Sequence, residues 1–383
     1  MKLNNSKTLY TAFDLYPSSK GSATHMHFMT KTLFDARNGG TLYCLGNDLL
    51  PSFQEEEDFR IVRFNEAIPN YLQRGVAYTK ALDKYLNAFG KPDLVHYRDF
   101  WGGMQFEKEK NIKKVYEVNA LMSIELPYRY PNMRLSTLNK IESLEKKCLV
   151  SSDLIITPSR VTAAYLAKNG LSDSKIRVIP NTADLNAEVS PNDELKGVPY
   201  FIYFGALQKW QGITTILKAI SLMPESYKLV ICSSNKRGAS KAYLRICRRL
   251  NIEDRVIWHY QLDKAKLNGM IKGAIASLVP LEECSRNIIQ GCSPLKIFES
   301  IAQVTPIIAS DLPVVREILS DDSCAFIQSG RPEKWARKML YCTNNLKLFR
   351  NFASNARAYF DKCFLKADLA ELQRKAYESI SAL

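Results

Sequence analysis

Hydrophobic and polar positions follow two different patterns along the first half of the chain. Short runs rich in β-branched and aromatic residues alternate with longer stretches whose apolar residues recur every three or four positions. The short runs begin at Thr8, Thr41, Phe59, Asp93, Lys113 and Asp153, and a last one spans Ile176 to Asn181. The longer stretches include Ala23 to Arg37, Tyr71 to Phe89, Leu135 to Val150 and Arg160 to Lys168. This rhythm predicts a parallel β-sheet whose strands are connected by crossover helices.

A polar segment separates this series from a second one. Residues Leu185 to Val198 contain Pro191 and Gly197 and show no clear period, so we predict a linker there. Further apolar runs begin at Tyr200, Tyr227, Arg255, Ala274, Pro306 and Cys324. Helices are predicted between them, notably at Ile213 to Leu222, Lys236 to Leu250 and Pro294 to Gln303. The chain is predicted to be helical from Thr343 to its end.

We therefore expect an α/β protein with two Rossmann-like, doubly wound domains. A chain of 383 residues exceeds what one hydrophobic core usually organises. The predicted domains are residues 1–185 and 186–361, and a helix at about 362–383 is expected to pack back on the first domain. Because doubly wound units bind ligands at the carboxyl ends of their strands, we expect the site in a cleft between the two domains.

Composition fits a folded protein, and charge narrows the choice of partners. Hydrophobic residues make up 46% and charged residues 24% of the chain. The formal net charge of +14 favours an anionic partner. The basic residues are scattered and no RNP-type motif or zinc finger accompanies them, so no nucleic acid is expected as a partner. A peripheral contact with an anionic membrane fits the same charge.

Cysteine usage and the absence of apolar segments point to a location. The nine cysteines occur singly, with no CxxC pair, which indicates free thiols in a reducing compartment. No charged-then-apolar leader opens the chain, and no apolar run approaches the roughly 18 to 20 residues that a membrane span needs. We therefore expect a cytoplasmic protein, at most peripheral to a membrane.

The segment from Ser293 to Glu299 carries the most specific chemistry. Ser293 suits an N-cap and Pro294 suits the first helical position, so a helix is predicted to start here. Lys296 then lies in the first turn, where a cation opposes the helix dipole. A bound diphosphate would resolve that conflict, because the free N–H groups, the dipole and the ammonium would all attract it. Glu299 follows at i+3 and is placed to accept hydrogen bonds from a ribose.

The alternative is that Lys296 and Glu299 are solvated surface residues, the usual fate of charges on a helix. The sequence around them favours the first interpretation. SPLKIFESIAQVTPIIASDLPVVREIL, from Ser293, resembles the donor-binding helix of family 4 glycosyltransferases, retaining enzymes of the two-domain GT-B fold. Three further segments resemble the same family: VSSDLIITPSRVTAAYLAKNGLSDSKIRVIPNTADL, YFIYFGALQKWQGITTILKAI and the opening YTAFDLYPSSKGSATHMHFMTKTL. The resemblance thus extends over essentially the whole chain.

The resemblance implies roles for individual residues. Lys296 would bind the diphosphate of a sugar nucleotide and Glu299 the ribose, with the helix start at Ser293, Pro294 and Leu295 beside them. Gly21 from the first domain and Gly205 from the second would let the backbone approach the donor. The end of the strand at Tyr260 would flank the base. The donor is a co-substrate, an NDP-sugar linked to UDP or GDP, and no cofactor is implied.

Several positions depart from the family pattern. Gly291 replaces the first Glu of a Glu-x7-Glu pair, so the backbone of Cys292 and Ser293 is the candidate for the sugar contact. Ala206 and Gln211 replace a common Arg and a common Lys. The cations left for two phosphates are Lys209, Arg286 and Lys296.

In the first domain, Asn119 stands where such enzymes often have a His. Glu117, Asn119 and Glu125 lie at or just beyond a strand end and are candidates for facing the transferred sugar or the acceptor. His96, at another strand end, is interpreted either as a catalytic residue or as a core histidine with satisfied hydrogen bonds.

The resemblance implies transfer to a hydroxyl with retention, in which the leaving phosphate helps to deprotonate the acceptor. The acceptor would be a carbohydrate or a lipid-linked molecule, in polysaccharide or glycolipid synthesis. No metal is expected, because the chain has no Asp-x-Asp and no metal-ligand spacing of histidines. Two other functions stay open: a GT-B-shaped epimerase or phosphorylase, and a non-enzymatic binder of anionic ligands.

Overall fold

The computed structural model describes residues 7–18, 21–185, 189 and 193–381. The chain forms two compact units. The first comprises the residues up to Ser18, Ser22–Pro180 and the C-terminal residues from Leu369 onward, and the second comprises Asn181–Asp368 together with Gly21. Each unit has its own sheet and its own hydrophobic core.

The first unit contains an eight-stranded sheet. In chain order its strands are β1 (Thr8–Leu15), β2 (Thr41–Leu45), β3 (Phe53–Glu55), β4 (Arg60–Phe64), β5 (Leu94–Tyr97), β6 (Lys113–Glu117), β7 (Leu154–Thr157) and β8 (Ile176–Val178). Their order in the sheet is β3-β4-β2-β1-β5-β6-β7-β8, and every pair except β3–β4 is parallel. The short antiparallel strand β3 was not predicted, because its three residues carry no run of apolar side chains.

Helices cover both faces of this sheet. They are α1 (Gly21–Arg37), α2 (Tyr71–Phe89), α3 (Phe100–Gly103), α4 (Met122–Arg129), α5 (Leu135–Ser151) and α6 (Arg160–Lys168). Asn70 and Ser159 cap α2 and α6 through their side chains, which accept hydrogen bonds from the free N–H groups of the first turn. The strands are buried on both faces, as parallel strands between helices are.

The second unit contains six parallel strands: β9 (Tyr200–Gly205), β10 (Lys228–Ser233), β11 (Val256–Tyr260), β12 (Ala276–Val279), β13 (Ile307–Ser310) and β14 (Ala325–Ile327). Their order is β11-β10-β9-β12-β13-β14, the strand order of dinucleotide-binding folds. The helices are α7 (Ile213–Ser221), α8 (Lys241–Arg249), α9 (Lys264–Gly273), α10 (Leu295–Ala302), α11 (Pro313–Arg316), α12 (Pro332–Asn344) and α13 (Leu346–Cys363). The prediction of two Rossmann-like α/β domains is confirmed.

The last helix, α14 (Lys366–Ser381), belongs to the first unit from Leu369 onward. Its buried face, with Leu369, Ala376 and Tyr377, packs into the same core cluster as Tyr10 of β1. The Gln373 amide donates a hydrogen bond to the Met29 carbonyl of α1. The end of the chain therefore completes the core of the unit in which the chain begins.

Candidate functional site

The strand order of the second unit fixes where a ligand would bind in it. The direction of the connections reverses between β9 and β12, and the crevice beyond the carboxyl ends of such strands is the usual ligand site. Gly205 ends β9 there with a φ of 122°, in the region that favours glycine. A Cβ atom on Gly205 would lie 3.9 Å from the Lys296 Nζ, so the two predicted residues are neighbours.

Lys296 is buried in the first turn of α10, with 8% of its surface exposed. Its Nζ lies 4.2 Å from the centre of the Tyr203 ring and donates a hydrogen bond to the Gln211 side-chain carbonyl. Burial lowers the pKa of Lys296 to about 7, and the Arg286 charge acts in the same direction. The surface interpretation of Lys296 is therefore wrong. The ammonium is held in a desolvated position, where charge–charge interactions are strong.

Glu299 lies one turn further along α10 and is half-buried. Burial raises the pKa of Glu299 to about 7, against the opposing effect of the Lys264 and Lys296 charges. A carboxyl group and an ammonium with pKa values shifted towards each other are typical of functional sites rather than of solvated helix surfaces. The structure thus brings Gly205, Lys296 and Glu299 to one edge of the sheet.

The start of α10 differs from the prediction by one residue. The helix begins at Leu295 and its N-cap is Pro294, with no side-chain hydrogen bond to the cap. The predicted N-cap role of Ser293 is wrong: its hydroxyl is buried and forms no hydrogen bond among the described residues, while its carbonyl accepts one from the Asn181 amide. Because no serine hydroxyl occupies the first N–H groups, an anion can still reach them.

The loop after β9 supplies the partner of Lys296. Gln211 closes a short 3-10 turn at Lys209–Gln211, and Gly212 follows with a φ of 68°. A Cβ atom on Gly212 would lie 1.7 Å from the Pro280 carbonyl oxygen, so only glycine fits. The close approach of the two backbones fixes the loop on which Gln211 sits.

We expect Gly212→Ala to lower the free energy of unfolding by about 3 kcal/mol, from the left-handed backbone and the clash with Pro280 together. Gly238→Ala is the matched control, because no atom lies within 4 Å of the position its Cβ would take. That change should alter stability by less than about 0.5 kcal/mol. Urea unfolding followed by circular dichroism measures both, and equal midpoints for the two variants would contradict the packing at Gly212.

The other residues predicted to bind the donor lie around Lys296 and Gly205 on several elements. The Arg286 guanidinium lies 5.2 Å from the centre of the Trp210 ring and opens a π-helical turn, Arg286–Gln290. Its charge affects the pKa values of both Lys296 and Cys292, so Arg286 lies near the start of α10.

The remaining predicted residues differ in exposure and position. Cys292 is buried, and Lys209 is exposed. Tyr260 ends β11, two strands from Gly205, or about 10 Å at usual strand spacing. Gly21 is the first residue of α1.

A second polar cluster lies in the first unit at the carboxyl end of β6, beside side chains from β1, β5 and α1. Its centre is Glu117, which is fully buried and forms hydrogen bonds or ion pairs with five side chains. Tyr10 Oη lies 2.6 Å from one carboxylate oxygen, and His25 Nε2, His96 Nε2 and Arg98 Nε each lie 3.0 Å from an oxygen. The Asn119 amide donates the fifth bond. All the hydrogen-bond acceptor positions of this carboxylate are therefore occupied by groups of the protein itself.

The cluster is ionic at its centre. Burial alone would raise the pKa of Glu117, but the Arg98 guanidinium and His25 hold it well below the usual range. Burial lowers the pKa of His96, which favours the neutral ring. His96 is completely buried, and its Nδ1 is bonded to the Tyr377 hydroxyl of α14 at 2.9 Å. The structure therefore places His96 as a core histidine with both ring nitrogens bonded.

Asn119 is the partly exposed member of this cluster, so its side chain marks the edge at which the cluster meets the surface. Glu125 is buried on α4 and pairs with Arg129 one turn later. The sequence indicated Glu117, Asn119 and His96 as members of a polar site, but it did not indicate Tyr10, His25 and Tyr377. A buried carboxylate at a strand end is the one signal that pointed towards them, because such a group requires donors.

Two kinds of feature are absent from the part of the chain that the structure describes. No group of three or more His, Cys, Asp or Glu side chains in that part of the chain could hold a metal ion. None of the helices that the structure describes is long and apolar enough to cross a membrane.

Comparisons with known proteins point to one family. Residues 19–187 match the sequence profile described as Glycosyltransferase Family 4, and residues 187–359 match the profile described as Glycosyl transferases group 1. Over 213 residues the chain is 24% identical to the O-antigen chain mannosyltransferase RfbU of Salmonella typhimurium. That match covers 55% of this chain and 56% of the relative, so the chain spans about half the length of this curated protein.

Two solved structures share their fold with this protein along nearly the full length of the chain. Sucrose-phosphate synthase from Thermosynechococcus elongatus superposes with a TM-score of 0.81 at 16% identity, covering 98% of this chain and 99% of that one. Anabaena HepE, in complex with UDP and glucose, gives a TM-score of 0.73 at 15% identity and covers 99% of this chain and 100% of that one. At these identities the likeness concerns the fold, in which two Rossmann-like domains recur.

Proposed function

Since the chain belongs to the family 4 glycosyltransferases, we propose that it transfers a sugar from a UDP- or GDP-linked donor to a hydroxyl group with retention. Glycosyl transfer is the activity that the family membership supports. The buried Lys296 beside Gly205 is the observation that carries the proposal, because a desolvated ammonium at the start of a helix suits a diphosphate. Glu299 on the same helix is the proposed ribose ligand.

In the proposed reaction, the bond between the anomeric carbon and the diphosphate oxygen breaks, and a bond from that carbon to the acceptor oxygen forms on the same face. The acceptor proton passes to the leaving diphosphate. No protein nucleophile is assigned, because the acceptor oxygen attacks on the face that the diphosphate leaves. Lys296 stabilises the negative charge that develops on the leaving group, and Arg286 and Lys209 add to it. These side chains, rather than a metal ion, are proposed to neutralise the two phosphates.

The proposed acceptor is a carbohydrate or a lipid-linked molecule, in polysaccharide or glycolipid synthesis. The match to a mannosyltransferase of O-antigen chains supports this class of acceptor and a hexosyl donor. The proposed setting is the cytoplasm, next to an anionic membrane, which the formal net charge of +14 and nine free thiols support.

Thermal shift against UDP, GDP, ADP and TDP and their sugars tests the donor class, because a ligand that binds only the folded state raises its stability. We expect one nucleotide family to shift the melting temperature by several degrees, since binding at about 100 times the dissociation constant adds about 2.7 kcal/mol. Release of free nucleoside diphosphate from the sugar nucleotide should then depend on an added acceptor. Sugar nucleotide consumption without an acceptor, or with phosphate alone, would favour an epimerase or a phosphorylase instead.

The pH dependence of nucleotide binding tests the two shifted side chains. Lys296 must be protonated to attract the diphosphate, and Glu299 must be ionised to accept two hydroxyl hydrogen bonds; both pKa values are about 7. Affinity for UDP should therefore be greatest near pH 7. It should fall above pH 7 as Lys296 loses its proton and below pH 7 as Glu299 gains one, by up to about tenfold per pH unit. In Glu299→Gln the decline on the acid side should shrink, which separates Glu299 from the titration of UDP itself. A flat profile in calorimetry would contradict the assignment.

A further inference from the structure

The corner between α12 and α13 carries a run of positive charge that the donor site does not use. Between Glu333 and Asp361 the chain has six basic residues and no acidic one. The basic residues are Lys334, Arg337, Lys338, Lys347, Arg350 and Arg357. Such a distribution is not a solvated helix face of mixed charge, in which acidic and basic residues alternate.

Large apolar side chains are exposed in the same place. Leu340, Tyr341, Leu346 and Leu348 lie within nine residues and are each exposed by 38 to 48%. Single exposed apolar residues are ordinary on a protein surface, but a group of four is not. The exposed residues do not result from a poorly packed corner, because Trp335, Met339 and Phe349, which flank them in the sequence, are buried in the core of the unit.

Two contacts close the corner between α12 and α13. The two helices are separated only by Asn345, whose amide donates a hydrogen bond to the Tyr341 carbonyl at 2.9 Å. The Tyr341 and Phe349 rings are in edge contact, with centres 6.1 Å apart. Arg337 lies one turn before Tyr341, and Arg350 lies one turn after Leu346, so each shares a helix face with an exposed apolar residue.

We propose that this α12–α13 corner, Arg337 to Arg350, docks on an anionic lipid surface. Leucine and tyrosine side chains enter the boundary between head groups and acyl chains, while the long stems of lysine and arginine keep their charges at the phosphates. Binding to a lipid surface requires no matching groove on the protein. A single-stranded nucleic acid would instead call for a series of aromatic stacking platforms, and the corner exposes one tyrosine. The proposal concerns a surface separate from Lys296 and does not depend on the transfer reaction.

Co-sedimentation with vesicles of phosphatidylcholine mixed with phosphatidylglycerol tests the docking surface, with pure phosphatidylcholine vesicles as the neutral reference. Each basic residue near an anionic membrane contributes roughly a factor of five in binding, so Arg337→Glu with Lys347→Glu should weaken binding at least about 20-fold. Leu346→Ser with Leu348→Ser should weaken it as well, without any change in charge. Lys146→Glu with Lys147→Glu, on the exposed surface of α5, makes the same change in net charge and should weaken binding far less.

Nucleotide affinity separates this proposal from the proposed function. UDP binding by calorimetry should be the same in all these variants and the unaltered protein, which also shows that they fold. Equal losses from the α5 and the corner variants would mean that net charge alone drives binding, and would overturn the proposal. Retention on single-stranded RNA without vesicle binding would overturn it too.

Discussion

Replacing Lys296 by methionine is expected to lower kcat/KM for sugar transfer by about a thousandfold. Removing one group that stabilises the charge of a transition state typically costs a factor of 10² to 10³, and Lys296 acts from a buried position where such charge is poorly screened. Methionine keeps most of the aliphatic stem that packs on the Tyr203 ring. The rate of nucleotide release in the presence of acceptor is the measurement.

The same variant should be at least as stable as the unaltered protein. The folded-state pKa of Lys296 is about 7, well below that of an unfolded lysine, so the folded state carries a penalty for protonation. That penalty is fully present below pH 7 and disappears as the pH rises towards 10.5, the ordinary lysine pKa. Methionine has no proton to bind, so the gain in melting temperature should be larger at pH 6 than at pH 10.

A matched control removes a lysine that lies outside the proposed donor site. Lys218 is exposed on α7 in the same unit, and Lys218→Met should leave kcat/KM within about twofold. If the Lys296 variant turned over at a near-normal rate while the nucleotide still bound, the donor site would have to lie elsewhere. A loss of activity together with a lower melting temperature would instead indicate unfolding.

Glu117→Gln is expected to lower the free energy of unfolding by about 3 to 5 kcal/mol. The substitution keeps the size of the side chain but removes the carboxylate that lies 3.0 Å from Arg98 Nε, and the buried guanidinium keeps only the more exposed Asp14, 3.6 Å from its Nη1. A buried charge that loses its closest partner is costly. An amide also offers a donor where Glu117 only accepts, so the donors at one of the two oxygens would lose their acceptor: either Tyr10 and His96 at Oε2, or His25 at Oε1. Urea unfolding at pH 7 measures the loss.

Two further measurements separate a charge effect from a packing effect. Combining Glu117→Gln with Arg98→Met should restore part of the stability, because neither charge is then left alone. The pKa of Glu117 lies below its unfolded value, so its contribution is complete above about pH 4.5 and is lost as the pH falls further. The stability difference between Glu117→Gln and the unaltered protein should therefore narrow in acid. A constant difference down to low pH would contradict an ionised Glu117.

The sequence could not indicate every member of the polar cluster around Glu117. Its members come from Tyr10 on β1, His25 on α1, Asn119 beyond β6 and, through His96, from Tyr377 on α14. Tyr377 lies 281 residues after His96 along the chain. No local pattern connects positions so far apart, and the alternation of apolar residues predicts only that each lies on a buried element.

Local rules also misplaced the start of helix α10. Ser293 followed by Pro294 predicted an N-cap serine, yet the helix begins at Leu295 and the Ser293 hydroxyl does not cap it. The preference for serine at an N-cap holds where its side chain can turn back to the first N–H groups. Here the Ser293 carbonyl is held by the Asn181 amide, a tertiary contact that the sequence does not reveal.

The amino-acid sequence alone determined the two series of strands and helices, the doubly wound character of each domain and the position of Lys296 in the first turn of a helix. These follow from short-range periodicity and from residues that favour helix starts, which are properties of neighbouring positions. Only the tertiary structure decided that Lys296 is desolvated against Tyr203 and Gln211, and that His96 belongs to the core around Glu117. Burial and pKa depend on all the atoms packed around a group, and those atoms are brought together by the fold rather than by the local sequence.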